Sequence, residues 1–286
     1  MLGSSHQFLS KPCDIGLLVD TIDAAIATGR EQAASAVTLI NESNRESDKN
    51  TVLLIESSLM QSRLIAERIR ALSEVEVVTA HTLAEAVKIL ETERSRVFMC
   101  VTAMFLPDAE GTEIVDFAHA CSLPCVVLTS SHDEGLQSRS RTRPILDYFL
   151  KNDFYEDRQL FDLIRRTYDN GAISVLVVDD SPTDLQIVCK FLETMNFRVS
   201  AAGSGAEAVS ALRNAPNIRI VITDNEMPGL TGVDLTTKLR QEYPEDEMVI
   251  IGMSSASKAT ARFLKAGCND FIKKPFSAEE FYCRVQ

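Results

Sequence analysis

Four stretches of the chain end in side chains that can do chemistry. Val221-Ile222-Thr223 is an apolar run that stops at Asp224, and Met227-Pro228-Gly229 turns the chain soon after. Ser174 to Val178 is a second such run, closed by the paired acids Asp179 and Asp180. A third, Asp270 to Lys273, delivers Lys274 and then Pro275, and a fourth, Met248 to Met253, delivers Ser254. Short apolar runs with these punctuations read as buried parallel strands. Open α/β sheets keep their ligand sites where such strands end. Three carboxylates, an ammonium and a hydroxyl would then share one edge. Phosphoryl transfer asks for such parts: an oxygen nucleophile, a hard cation, and donors for the remaining phosphate oxygens.

The elements that must position these groups alternate regularly. In the second half, strands are expected at Val175–Val178, Phe197–Ala201, Ile218–Thr223, Met248–Gly252 and Phe271–Lys273. Helices belong near 183–195, 205–213, 233–242 and 257–266, and a last one begins near Ser277 and is expected to run past Gln286. The first half has the same order. Its strands are Val52–Ile55, Glu76–Thr79, Arg96–Thr102, Val126–Leu128 and Tyr148–Leu150, with helices near 59–72, 82–90, 111–121 and 156–168, and a polar helix after Leu128. Asn170-Gly171 reads as a helix stop. Ala202-Gly203-Ser204-Gly205 lacks the GxGxxG spacing and reads as a turn with a helix cap.

Residues 173–286, with Asp179-Asp180, Asp224, Met227-Pro228, Gly232, Ser254 and Lys274-Pro275, resemble the receiver domain of two-component response regulators. The resemblance implies an α/β fold: a doubly wound, flavodoxin-like five-stranded parallel sheet of order 2-1-3-4-5. It implies Asp224 as phosphoacceptor. It also implies Mg²⁺ held by Asp179, Asp180, Asp224 and the backbone carbonyl of Glu226. Lys274 and Ser254 would bind phosphoryl oxygens, and Phe271 would act as the switch aromatic, a position often filled by Tyr.

The two halves align without gaps around the central turn, so the chain reads as an internal repeat. Ala103 stands where Asp224 stands, and Glu56 and Ser57 replace Asp179 and Asp180. Thr129 matches Ser254 and Lys151 matches Lys274, with Asn152 in place of the proline. Alanine cannot accept a phosphoryl group, so the first half resembles a pseudo-receiver. Asp108 and Glu110 lie past the strand end and are not expected to serve. The expected boundaries are 1–48, 49–171 and 172–286. The first segment holds Phe8-Leu9-Ser10-Lys11-Pro12, which resembles the end of another receiver, followed by a long amphipathic helix over about 14–44. That helix reads equally as a self-pairing seam or as a linker.

Composition narrows the classes. At 286 residues, two domains of about 100–200 residues each are expected. Basic residues number 29 against 41 acidic ones, a formal charge of −12, which argues against direct nucleic-acid binding. The seven cysteines, at 13, 100, 121, 125, 189, 268 and 283, include no CxxC pair, and several lie in apolar runs. A reducing, cytoplasmic setting with no membrane span is expected. The partners implied by the resemblance are a sensor histidine kinase or phosphotransfer protein, a second copy of the chain, and an effector beyond Gln286 such as a diguanylate cyclase. Two alternatives remain open at this level: a phosphorylation-independent scaffold, and a phosphatase with an aspartyl nucleophile. The second is disfavoured because Asp224-Asn225-Glu226 lacks the Asp-x-Asp such enzymes commonly need.

Overall fold

The computed structural model describes residues 50–73, 75–110, 112–121, 123–129, 145–151, 158–256 and 258–285. The receiver-like N-terminal segment with Lys11, the helix expected over 14–44, the polar helix after Leu128, and Asn152 lie outside them. The described chain forms two five-stranded parallel sheets and one small hairpin.

The first sheet is built from β1 (Thr51–Ile55), β2 (Glu76–Ala80), β3 (Val97–Ala103), β6 (Cys125–Thr129) and β7 (Asp147–Leu150), in the order β2-β1-β3-β6-β7. Its helices are α1 (Leu59–Ser73), α2 (Leu83–Glu93), α3 (Thr112–Ala120) and α4 (Gln159–Asn170). The second sheet holds β8 (Ser174–Val178), β9 (Arg198–Ala202), β10 (Ile218–Asp224), β11 (Val249–Ser254) and β12 (Asp270–Lys273), in the order β12-β11-β10-β8-β9. Its helices are α5 (Pro182–Thr194), α6 (Gly205–Asn214), α7 (Gly232–Glu242), α8 (Ala259–Ala266) and α9 (Ala278–Val285). Counted within its own sheet, the strand order is 2-1-3-4-5 in both.

Side chains alternate across each strand and so feed two cores. In the second sheet, Val175, Val177, Ile222, Met253 and Ile272 pack with Val188 and Leu192 of α5 and Phe281 of α9. Leu176, Val178, Val221, Ile250 and Phe271 pack on the other face with α6, α7 and α8. The first sheet is covered likewise, by α1 and α4 on one face and by α2 and α3 on the other. Each fully buried aliphatic side chain contributes about 1.5–3 kcal/mol before chain entropy is charged against it.

Local signals fix the helix starts. Ser204 accepts the Glu207 N–H while Glu207 accepts the N–H of Gly203, one residue before the cap, a variant of the capping box that fits the reading of Gly203-Ser204-Gly205 as a cap. Thr82, Glu85 and His81 form the same box at the start of α2. Pro182 opens α5 behind the cap Ser181, where its missing N–H costs nothing.

Two details depart from expectation. Past β3 the chain makes an antiparallel hairpin, β4 (Phe105–Leu106) with β5 (Ala109–Glu110). Its turn aims Asp108 at the start of α2, where the carboxylate accepts the Leu83 and Ala84 N–H groups. Gly171 ends α4, but at φ −61, so no left-handed residue stops that helix. The glycine is needed for space instead, since a Cβ there would sit 2.9 Å from Asn196 Nδ2 and 3.1 Å from Tyr168 O. Asn196 itself takes φ 70 and donates to Thr167 O at 2.8 Å, while Asn170 Nδ2 donates to Met195 O at 3.0 Å.

Candidate functional site

Register sets the site. Thr223 pairs with Val178 on one side of β10, and Asp224 pairs with Met253 on the other. Asp179 and Asp224 therefore leave neighbouring strands one residue after a shared row. Ser254 follows Met253 and pairs with Lys273, which puts Lys274 just beyond the hydroxyl. Gly232 lets the turn after Asp224 fold back tightly, because a Cβ at this position would lie 2.1 Å from the Asp224 carbonyl oxygen.

Lys274 is the hub of the second sheet's carboxyl edge. Its Nζ lies 2.7 Å from Asp179 Oδ2, 2.8 Å from Asp184 Oδ2 and 2.8 Å from Asp224 Oδ1. Asp179 and Asp224 are buried, at 1% and 4% exposure, so their charge is tolerable only with a cation between them. Burial pushes the Asp224 carboxyl above the usual carboxylate range, against the pull of Lys274 and of the Glu226 N–H it accepts. For Lys274, burial opposes the charge, but bonds to Asp179, Asp184 and Asp224 outweigh it and hold its pKa above the ordinary lysine value.

The remaining expected residues are placed as follows. Asp180, next along the chain from Asp179, is exposed. Ser254 is fully buried and donates to Glu226 Oε1 at 3.1 Å, while its oxygen accepts the Ala256 N–H at 3.0 Å. Phe271 is 7% exposed and packs on Phe263, ring centroids 5.7 Å apart. Phe263 in turn lies against Gly252, where a Cβ would meet the ring at 2.6 Å. Sequence reading missed Asp184, which the Ser181 cap and the first turn of α5 carry to Lys274. It also took only the backbone of Glu226 as useful, whereas the carboxylate holds two hydroxyls. Asn225 Oδ1 is buried without a hydrogen-bond partner among the described residues, and nothing in the structure explains it.

A hard divalent cation fits the donor chemistry. Every candidate ligand offers oxygen, as Mg²⁺ prefers, and two buried acids already converge on a positive head. Among the described residues, however, no three acidic, histidine or cysteine side chains form a ready-made metal cage. Asp180 is the member that stands apart.

At the matching edge of the first sheet, Ala103 ends β3 at 2% exposure. Lys151 Nζ pairs with Glu56 Oε2 at 2.6 Å and with Gln61 Oε1 at 3.3 Å. No acid occupies the position of Asp224 there.

A doubly wound parallel sheet with acids, a hydroxyl and a lysine at its carboxyl edge defines a receiver-type module. A family profile described as "Response regulator receiver domain" matches residues 175–286. The rice (Oryza sativa subsp. japonica) protein "Two-component response regulator ORR5" is 38% identical over 107 residues, 37% of this chain and 80% of its own. The "Probable transcriptional regulatory protein TcrX" of Mycobacterium tuberculosis is 33% identical over 122 residues, 42% of this chain and 51% of its own. Two solved structures, the second described as a "probable two-component system response regulator/GGDEF domain protein", are each 31% identical. They cover 83% of this chain and 96% of theirs, with TM-scores of 0.68 and 0.67. The chain belongs to the receiver-domain family of two-component response regulators.

Proposed function

We propose that Asp224 is the phosphoacceptor of a two-component signalling module, loaded from the phosphohistidine of a histidine kinase or phosphotransfer protein. The observation that carries this reading is the meeting of Lys274 with Asp224 and Asp179 beside the buried Ser254 hydroxyl. The carboxylate of Asp224 is the oxygen nucleophile. Lys274 pairs with a phosphoryl oxygen as a point charge, and Ser254 donates to another. Asp179, Asp180, Asp224 and the Glu226 carbonyl would hold Mg²⁺, which when bound neutralises the phosphoryl oxygens. Repositioning of Ser254 and Phe271 then biases a two-state surface formed by α8, β12 and α9.

In this reading residues 49–171 form a pseudo-receiver, silent because Ala103 replaces the acceptor. Residues 172–286 form the working receiver, and 1–48 a receiver-like tail and linker helix. A cytoplasmic location, self-association and a downstream effector complete it. The GGDEF domain named for the solved neighbours makes a diguanylate cyclase the first candidate for that effector. No helix among the described residues is long and apolar enough to cross a membrane.

A second reading is a phosphorylation-independent scaffold, favoured by the acceptor-free edge of the first sheet. Intact mass after incubation with acetyl phosphate and Mg²⁺ separates the two. One phosphoryl group on the wild type and none on Asp224→Ala is expected. No adduct on either protein would leave the scaffold.

A further inference from the structure

The carboxylate of Glu226 touches the site from outside it. Oε1 accepts the Ser254 hydroxyl at 3.1 Å and Oε2 accepts the Ser255 hydroxyl at 3.3 Å. A serine hydroxyl has one proton to donate. That of Ser254 is given to Glu226, while its oxygen is taken by the Ala256 N–H. The backbone N–H of Glu226 donates to Asp224 Oδ2. Residue 226 thus joins the acceptor and the hydroxyl through two different parts of itself.

We infer that Glu226 is a positioning residue that latches Ser254 in the resting state and so sets how readily Asp224 is loaded, an inference that rests on the acceptor reading above. In the transfer, the bond from phosphorus to the donor's leaving atom breaks, that atom (the imidazole nitrogen of a phosphohistidine, or the acetate oxygen of acetyl phosphate) keeping the electron pair, and a bond from phosphorus to an Asp224 oxygen forms. No electrons are exchanged with a third party. For Ser254 to serve the arriving phosphoryl oxygen, its bond to Glu226 must open. The released carboxylate then stands beside newly placed negative charge. Both effects favour the unloaded state, and the first is strengthened because a carboxylate is a better hydrogen-bond acceptor than a neutral group. Ser255 anchors the other carboxylate oxygen and keeps the latch aimed at Ser254.

The test follows loading by intact mass, with acetyl phosphate and Mg²⁺, in the full chain. Four proteins are compared: wild type, Glu226→Gln, Ser254→Ala and the double variant. Glu226→Gln keeps the shape but weakens the acceptor, and is expected to load roughly three- to tenfold faster. In the Ser254→Ala background the same change is expected to alter the rate by less than about twofold, because contacting residues are non-additive. Equal rates for wild type and Glu226→Gln overturn the latch. An undiminished gain without Ser254 overturns it too, assigning the effect to net charge near the site. If Ser254→Ala loads too slowly to time, Ser254→Thr replaces it; this variant keeps the hydroxyl and must keep the gain, and losing the gain counts against the latch. A wild type that takes no phosphoryl group fails the acceptor reading itself, and that failure is visible before any variant is made.

Discussion

Lys151 grips Glu56 at 2.6 Å, just as Lys274 grips Asp179 at 2.7 Å, although only the second pair has an aspartate at the end of the central strand beside it. The pairing of the first and last strands by an ammonium and an acid therefore stands apart from the chemistry. It holds the edge of a sheet together.

That makes Glu56 a stability residue. At 2% exposure it cannot be neutralised without stranding Lys151, so Glu56→Ala should cost about 3 kcal/mol. The paired replacement Glu56→Leu with Lys151→Met should recover most of this. The chain has no Trp, so urea unfolding followed by circular dichroism is the measurement. Equal losses for the single and double variants would refute the pair.

Asp224 should show the reverse of the usual carboxylate dependence. Its folded pKa is raised by burial, so its contribution to stability is full below the ordinary value of about 4. That contribution is lost as pH rises through the higher folded value. Asp224→Asn removes the loss, and its urea midpoint should gain on the wild type between pH 4 and neutrality. A constant difference across that window would contradict the raised pKa.

Lys274 should act at the other end of the scale. Its folded pKa is raised by three carboxylates, so its stabilisation is intact below about pH 10.4 and fades as pH climbs through the folded value. Lys274→Met should cost about 3 kcal/mol at pH 8, leaving Asp179 and Asp224 unpaired. The gap to wild type should narrow in the strongly alkaline range, measured by urea titration.

Gly232→Ala tests the turn that shapes the acceptor. The added Cβ would stand 2.1 Å from the Asp224 carbonyl oxygen and 2.9 Å from the Phe263 ring. Backbone must move, and a loss of about 3 kcal/mol is expected. A melting temperature unchanged from wild type would show that the turn has slack.

Much of this was legible in the chain because strand ends and helix caps are local signals. Asp179, Asp224, Ser254 and Lys274 each follow an apolar run, and parallel pairing in register does the rest. Ser204 announces its helix through Glu207, three residues on. Asp184 could not be found this way, since it sits in an ordinary first helical turn and matters only because Lys274 arrives from 90 residues later. The Glu226 carboxylate was hidden for a similar reason, its partners lying a strand away. The hairpin of Phe105–Leu106 with Ala109–Glu110 has strands of two residues, too short for any alternation to show. Gly171 looked like a left-handed stop, but the demand on it comes from Asn196 across the junction.

That junction has a mechanical consequence. Only Gly171, Ala172 and Ile173 separate α4 from β8, and the amides of Asn170 and Asn196 cross over them to tie the two helix ends to each other. Torque reaching the C-terminal end of α5 is met by a pair of short, opposed tethers. A rotation of that helix end would have to break both hydrogen bonds or draw the end of α4 along with it.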